Sequence, residues 1–441
     1  MKKLFCFILS VIMLTGITTG CSDDTDKKPT VTINIKLPII AVNDVIDSEV
    51  RNSYSFIQKV SDDFCDKYED ANVTFNIKQY ETGSEDSEIA GSFDTDEATD
   101  ILFANYFDMS TYIYSGRAVP LDDMITSEIK NDIKPLFWDL SEVDGKTYMM
   151  PFFANQDTFC YNKDMFRKAG LDEFVSTDDV VQSWTLDEWE IILKKLRDYL
   201  PDTSYPMMMY AGSEDGAIHI MTLLRSHGCE VFDEEGYLNV NNPKGIEALN
   251  WIRQCDEKNY FPHNSETLVM LDNYSMFMNG QLGLYVLNSA YIPDMKDADF
   301  ELGYVNFPSA DGKGYSNSYI TGFEIFDNGN QDKLKICKDF VRFIYESDWL
   351  DYSAESIPIS KKVSAKYSDE LTDVQKYINN SDTSVTFTKN KPDWKGVRST
   401  FCQFMQHLLY GDMSVEEIAE RIDSECNEKI KQGIGNATLH K

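Results

Sequence analysis

A strand, a helix and a second strand open the regular patterning of this chain, and that order does most to limit its fold. "VTINIKL" alternates apolar Val31, Ile33, Ile35 and Leu37, the two-residue period of a strand with one face in a core. Ile57, Val60, Phe64 and Tyr68 then recur at helical spacing. "NVTFNIKQY" alternates again through Val73, Phe75 and Ile77. After the polar loop "TGSEDSEIAGSFDTDEATD" comes a short apolar strand, Ile101 to Ala104. Strands separated by a helix of this length predict parallel pairing through a crossover, hence an α/β class with a mainly parallel sheet.

The middle of the chain is helix-rich. "SWTLDEWEIILKKLRDYL" opens with a capping box, Thr185 and Glu188, and lines Trp189, Leu193 and Leu196 along one face. "NNPKGIEALNWIRQC" begins with Asn242 as a cap and Pro243 at the first helical position. Leu334, Cys337, Val341 and Ile344 mark another amphipathic helix, and "SVEEIAERIDSECNEKI" carries a second capping box, Ser414 and Glu417. With ~420 residues beyond the first twenty, there is chain for two or three domains. Hydrophobic content of 42% supplies real cores. No repeat, heptad array or Gly/Pro linker divides the middle, so two lobes would be joined by several crossings.

The N-terminus is different in kind. Met1-Lys2-Lys3 is followed by an almost wholly apolar run, Leu4 to Leu14. A bilayer takes ~20 apolar residues to cross, so this run is too short to span. Charge, short apolar core and small residues are the order of a secretory signal. Thr18-Thr19-Gly20-Cys21 resembles a bacterial lipobox, whose Cys receives lipid and becomes the mature N-terminus; Thr18 stands where Leu is usual. An ordinary signal peptide with an incidental Cys is the alternative. Ser22 to Thr30, "SDDTDKKPT", has the polar, charged composition of a flexible tether. The expectation is a signal over 1–20, lipid on Cys21, a tether over 21–30, and a protein held outside the cell membrane by its lipid alone. Several acyl chains on one Cys hold stably where a single chain does not.

The chain carries 41 Lys+Arg against 74 Asp+Glu, a net charge of −33. Such a polyanion repels nucleic acid and anionic membrane surfaces at long range. Seven cysteines follow Cys21, scattered, odd in number and without a CxxC pair. Several sit in apolar runs such as "TFCYN", and buried thiols are expected. A single Cys229–Cys255 bridge remains an alternative.

HExxH, GxSxG, GxxxxGK[ST] and GxGxxG are all missing, and the five histidines lack metal-ligand spacing. "DTDEATD" lacks the Gly that a calcium loop needs for its sharp turn. No catalytic residue, metal site or cofactor is expected.

Several blocks, in order, resemble the bacterial extracellular solute-binding proteins of sugar-importing ABC systems, the group that contains maltose-binding protein. They are "TDILFANYFDMSTYIYSGRAVPLDDMI", "VDGKTYMMPFFANQDTFCYNKDMFRKAGLD", "SWTLDEWEIILKKL", "FMNGQLGLYVLNSAYIPDM", "GYVNFPSADGKGYSNSYITGFEIF" and "MSVEEIAERI". Together they span nearly all of residues 31–432. The resemblance implies a two-lobed periplasmic-binding-protein-like fold, each lobe a mainly parallel sheet flanked by helices, with three hinge crossings. By matching blocks, the crossings fall near Ala154–Asp157, Tyr319–Gly322 and Asp373. Lobe one is then 31–154 plus 322–372, and lobe two 158–318 plus 374–441. It also implies a monomer that binds a carbohydrate and hands it to a membrane permease driven by a separate ATPase.

A sugar presents hydroxyl pairs and an apolar C–H face, and so calls for planar amides or carboxylates and for aromatic rings. At family-matched positions these are Asn105, Tyr106 and Asp108 on lobe one, and Asn155 and Asp157 at the first hinge. On lobe two they are Tyr210, Glu214, Asn288, Tyr291, Trp394 and Arg398, with Tyr319 at the second hinge. Tyr291 stands where the family often has a stacking Trp. Each has a plainer reading: Tyr106 and Tyr319 as sheet-edge packing, Asp157 as a helix cap or ion-pair partner, Trp394 as a loop anchor. Tyr161 and Trp189 are assigned to core. A non-sugar solute such as a peptide, a surface glycosidase and an anchored adhesin are the competing functions.

Overall fold

The computed structural model describes residues 28–40, 46–47, 49–81, 88–385 and 391–438. The expected signal segment, Cys21 and the first part of the expected tether lie outside the described residues.

The strand–helix–strand unit forms as β1 (Thr30–Pro38), α1 (Ser53–Lys67) and β2 (Asn72–Tyr80). β1 and β2 pair in parallel without a slip from Thr30↔Asn72 to Pro38↔Tyr80. β3 (Ile101–Asn105) adds in parallel on the other edge of β1. α1 starts at Asn52, whose side chain accepts from Ser55 N while the Ser55 side chain bonds back to the cap. The helix lays Phe56, Ile57, Val60 and Phe64 against the sheet. The alternation in β1 does not leave a wet face. Asn34 and Lys36 are buried as well, because the strand is central and covered on both sides. Asn34 Nδ2 is satisfied by Ala98 O at 2.9 Å, and Asp100 accepts from Asn34 N at 2.7 Å.

The remaining elements used below are β4 (Met150–Asn162), α2 (Leu186–Tyr199), α3 (Asp215–Ser226), α4 (Pro243–Glu257), β5 (Leu284–Asn288), β6 (Leu302–Val305), β7 (Ser316–Ile325), α5 (Gln331–Tyr345), α6 (Thr372–Asn379), α7 (Trp394–Tyr410) and α8 (Val415–Thr438). Both predicted caps hold at α2 and α4. Thr185 and Glu188 close a capping box, and Asn242 accepts from Lys244 N and Gly245 N ahead of Pro243. At α8 the structure gives the Ser414 half of the box, with Ser414 Oγ accepting from Glu417 N at 3.2 Å.

The strand order is β2-β1-β3-β7-β4-β6, with β5 also on β4 and the short strand Val181–Gln182 beyond β6. The expectation of a mainly parallel sheet is corrected here. β1, β2 and β3 are parallel, but β7 runs antiparallel to β3 and β4, and β4 antiparallel to β5 and β6. The reason lies in the two cores. Met150, Phe152, Phe153 and Ala154 of β4 pack in the first core, with β1, α1, β3 and α5, and further along the strand Phe159 and Tyr161 face the second, with α2, α3, α4, α7 and α8, while Cys160 between them faces the first. β7 brings the chain back, with Ile320, Phe323 and Ile325 in the first core. Neighbouring strands that carry a chain out and back between the same two cores must be antiparallel.

β4 and β7 approach closely. The register slips between Thr321 and Gly322, and a Cβ on Gly322 would lie 2.2 Å from Met150 O. In the second core, α2 buries Trp189, Ile192, Leu193 and Leu196, each contributing about 1.5–3 kcal/mol when taken out of water. Tyr161 and Trp189 are fully buried, as expected. The seven cysteines past Cys21 are free thiols, six of them buried. Burial pushes the Cys160, Cys255 and Cys337 thiols well above the usual range, so they stay protonated. Among the described residues no helix is long and apolar enough to cross a membrane.

Candidate functional site

Asp157 sits in β4 between the two cores, and three elements converge on its carboxylate. Asn288, at the end of β5, lies directly opposite it in the sheet and donates Nδ2–H to Asp157 Oδ1 at 2.7 Å. The other face of the same amide accepts from Ala290 N at 3.0 Å, which fixes its orientation. Tyr319 on β7 donates its hydroxyl to Asp157 Oδ2. Burial, and then the Asp157 carboxylate, push the Tyr319 phenol well above its usual range, so it stays a donor. His219 on α3 places Nε2 3.2 Å from Asp157 Oδ2. Asp157 is 2% exposed, and a carboxylate so buried needs these donors to be tolerated.

Aromatic rings continue the group in both directions. Tyr210 stands edge-on to the His219 ring at 5.9 Å. Phe107 meets Tyr319 edge-to-face at 5.3 Å, and the Arg398 guanidinium lies 5.3 Å over the Phe107 ring. The set thus runs unbroken from Arg398 on α7 through Phe107, Tyr319, Asp157 and His219 to Tyr210. It joins the loop after β3, both connecting strands and two helices of the second core. Gly216 makes part of this possible: its Cβ would fall 2.0 Å from Tyr210 O, so only glycine lets α3 start against that backbone.

Among the described residues, Tyr210 Oη, His219 Nδ1 and Arg398 Nε are buried without a hydrogen-bond partner. Each such atom costs about 1–3 kcal/mol when left unpaired. All three lie along the same set of contacts, each with almost no exposed surface.

The structure brings Asp157, Asn288, Tyr319, Tyr210 and Arg398 into this set. Tyr291 follows Asn288 by one short turn and is 41% exposed, an open ring beside the cluster. Asn155 pairs with Tyr319 in the sheet, but its side-chain oxygen is taken by Ser356 Oγ at 2.7 Å. Asn105 caps the turn after β3 by accepting from Phe107 N at 3.0 Å. Tyr106 is buried and stacks toward Phe107 at 5.1 Å. Asp108 lies in the same turn, where its charge helps raise the buried Glu324 carboxyl. Glu214 is half-buried just before α3. Trp394 is not brought to the set. It is 2% exposed in the second core, 6.0 Å from Phe232, where it supplies packing and not a stacking face.

Sequence reasoning misses His219 and Phe107. His219 is the one polar residue in "AIHIM", between buried Ile218 and Ile220, and a lone imidazole on an apolar helix is the available signal. Phe107 carries no polar group and stands between two residues of polar character, Tyr106 and Asp108.

Residues 47–350 match the family described as bacterial extracellular solute-binding protein, and the chain belongs to that family. It is a family of binding proteins and not of enzymes. A Brucella abortus protein that bears the name "putative binding protein" is 21% identical over 331 residues, covering 71% of this chain and 76% of the relative. A mannitol-binding protein of Pseudomonas aeruginosa is 24% identical over 191 residues, 42% of this chain and 41% of that one. The crystal structure of a cyclic alpha-maltosyl-1,6-maltose binding protein from Arthrobacter globiformis superposes with a TM-score of 0.72 at 18% identity, covering 92% of this chain and all of the other. The fold is therefore the two-lobed α/β fold of periplasmic binding proteins, built on a mixed sheet flanked by helices.

Proposed function

We propose that this chain is the lipid-anchored capture protein of an ABC importer and that its solute is a carbohydrate, an oligosaccharide first among the candidates. The observation that carries this reading is the row of unpartnered Tyr210, His219 and Arg398 atoms beside open Tyr291 and the Asp157–Asn288 amide–carboxylate pair. Hydroxyl pairs satisfy the first and a sugar's C–H face covers the ring. Mannitol and a maltosyl-maltose, for which two of the similar proteins are named, are of the same hydroxyl-rich chemistry.

In this reading residues 31–154 with 322–372, and 158–318 with 374–441, move as lobes on crossings near Ala154–Asp157, Tyr319–Gly322 and Asp373. A solute touching both lobes favours the closed state by its differential affinity. Hinge closure around a ligand is the general motion of periplasmic binding proteins. The closed monomer docks on a permease whose separate ATPase supplies the energy. Cys21 carries the lipid that keeps it at the membrane's outer face. A peptide or other solute in the same fold is the alternative.

The test is thermal unfolding of the protein against mono- and oligosaccharides, polyols and short peptides. Ligand at a hundred times its dissociation constant adds ~2.7 kcal/mol, which for a chain this long raises Tm by about 3 °C. A carbohydrate that does so without being consumed supports the reading. A peptide that does so while every carbohydrate fails replaces it.

A further inference from the structure

A cavity of about 420 Å³ lies away from the Asp157 group and shares no residue with it. One wall comes from the segments flanking β3, with Phe93, Asp94, Tyr112 and Arg117. The other comes from the start of α7 and the end of α8, with Asp393 and Asn436. Ser110 Oγ donates to Lys391 O at 2.7 Å and ties the two walls together. Within the second wall, Gly433 lets α8 pack on the start of α7: a Cβ there would sit 3.1 Å from the Asp393 Cβ. A glycine inside a helix costs ~1 kcal/mol, so a close crossing explains its place in α8.

The lining is organised. Phe93 and Tyr112 meet edge-to-face at 6.3 Å, and the Arg117 guanidinium covers the Phe93 ring at 5.2 Å while pairing with Asp94 at 2.6 Å. Asp393 holds a left-handed backbone and accepts from Gly396 N at 3.2 Å. With Arg117 already paired and a second carboxylate in Asp393, an anion is disfavoured. With a guanidinium, two carboxylates and an amide, a purely apolar guest is disfavoured too. A neutral molecule with hydroxyl groups fits, since Thr111, Ser115 and Asn436 also line the cavity beside the paired charges. The volume lies in the ~300–1,000 Å³ range of small-molecule sites.

We infer that this cavity is a second binding site, for a single sugar ring or short polyol, separate from the Asp157 group. Because its walls belong to the two halves of the molecule, its occupant favours the arrangement in which they meet, and so acts on closure. The ligand class rests on the carbohydrate reading above; the position of the site does not.

The test uses the full chain in a non-glycosidic detergent, with mannitol and maltose as probes. Crystals grown with each probe show density against Arg117 and Asn436. In solution, Arg117→Gln and Asn436→Ala each weaken binding at this site about tenfold, the size of one lost hydrogen bond. Thr111→Val, which removes one lining hydroxyl at constant volume, serves where Arg117→Gln fails to fold. Density at the Asp157 group alone, density here without binding in solution, or variants that bind as wild type each overturn the inference. Density here and none at Asp157 upholds it and contradicts the proposed primary site.

Discussion

Asn288 and Asp157 face each other across the β4–β5 pair and are joined by a 2.7 Å bond from amide to carboxylate. The pair ties a buried charge on a connecting strand to the edge of the open Tyr291 turn. Asn288→Ala removes one donor from a carboxylate that is 2% exposed. It should cost about 1–3 kcal/mol of stability by urea denaturation and weaken solute binding. Asn288→Asp should cost more, since it sets a second carboxylate against the first.

Gly322 tests the close approach of the two connecting strands. A methyl group there meets Met150 O at 2.2 Å, so the β4–β7 pair must part. Gly322→Ala should lower stability by about 1–3 kcal/mol. Solute affinity should fall with it, because Tyr319 and Asp157 depend on the same strand pair. A variant as stable as wild type in urea would remove this argument.

His227 should make the protein acid-sensitive. Burial lowers its pKa to about 4, and its ring lies 4.5 Å from Trp251. The unfolded chain takes up this proton near pH 6.5 and the folded chain only near 4, so between those values the unfolded state binds more protons. Stability is therefore full above about 6.5 and falls as pH drops to about 4, by on the order of 3 kcal/mol for this group. His227→Phe should flatten that part of the urea-midpoint profile.

Glu324 should act in the opposite sense. It is completely buried, neither of its oxygens has a hydrogen-bond partner, and burial, with Asp108 adding to it, raises its carboxyl well above the usual range. The folded state holds the proton where the unfolded state loses it, so this group's contribution is present at acid pH and is lost as pH rises above the ordinary Glu range. Glu324→Met should stabilise the protein at both pH values, since an unpartnered buried group costs about 1–3 kcal/mol, and more at pH 8 than at pH 4, where the unfolded chain also holds the proton. Equal effects at both pH values would refute the assignment.

Much of the fold was legible because the periods were clean. The 2-3.6-2 alternation of β1, α1 and β2 and the caps at Thr185 and Asn242 are local signals, and they form as read. The mixed sheet was not legible. Strand direction in β4 and β7 follows from how the chain passes between two cores, and no residue in "MPFFANQDTFCYN" encodes that locally. The site was half legible for the same reason. Asp157, Asn288 and Tyr319 carry polar groups at positions that match the family's blocks, and could be picked out. His219 enters only because α3 packs across the sheet, and Trp394 leaves because its helix turns it into the second core. Both outcomes depend on tertiary packing and not on spacing.

Capture of a hydroxyl-rich solute at the Asp157 group stands or falls on calorimetric titration of matched variants. With the carbohydrate that shifts wild-type Tm, Tyr210→Phe and Arg398→Met should each lose about tenfold in affinity, because each removes a polar group that now has an unpartnered atom. Trp394→Phe, changed inside the second core, should keep wild-type affinity. If Tyr210→Phe and Arg398→Met bind as wild type while Trp394→Phe loses binding with its fold intact, the solute does not sit at the Asp157 group.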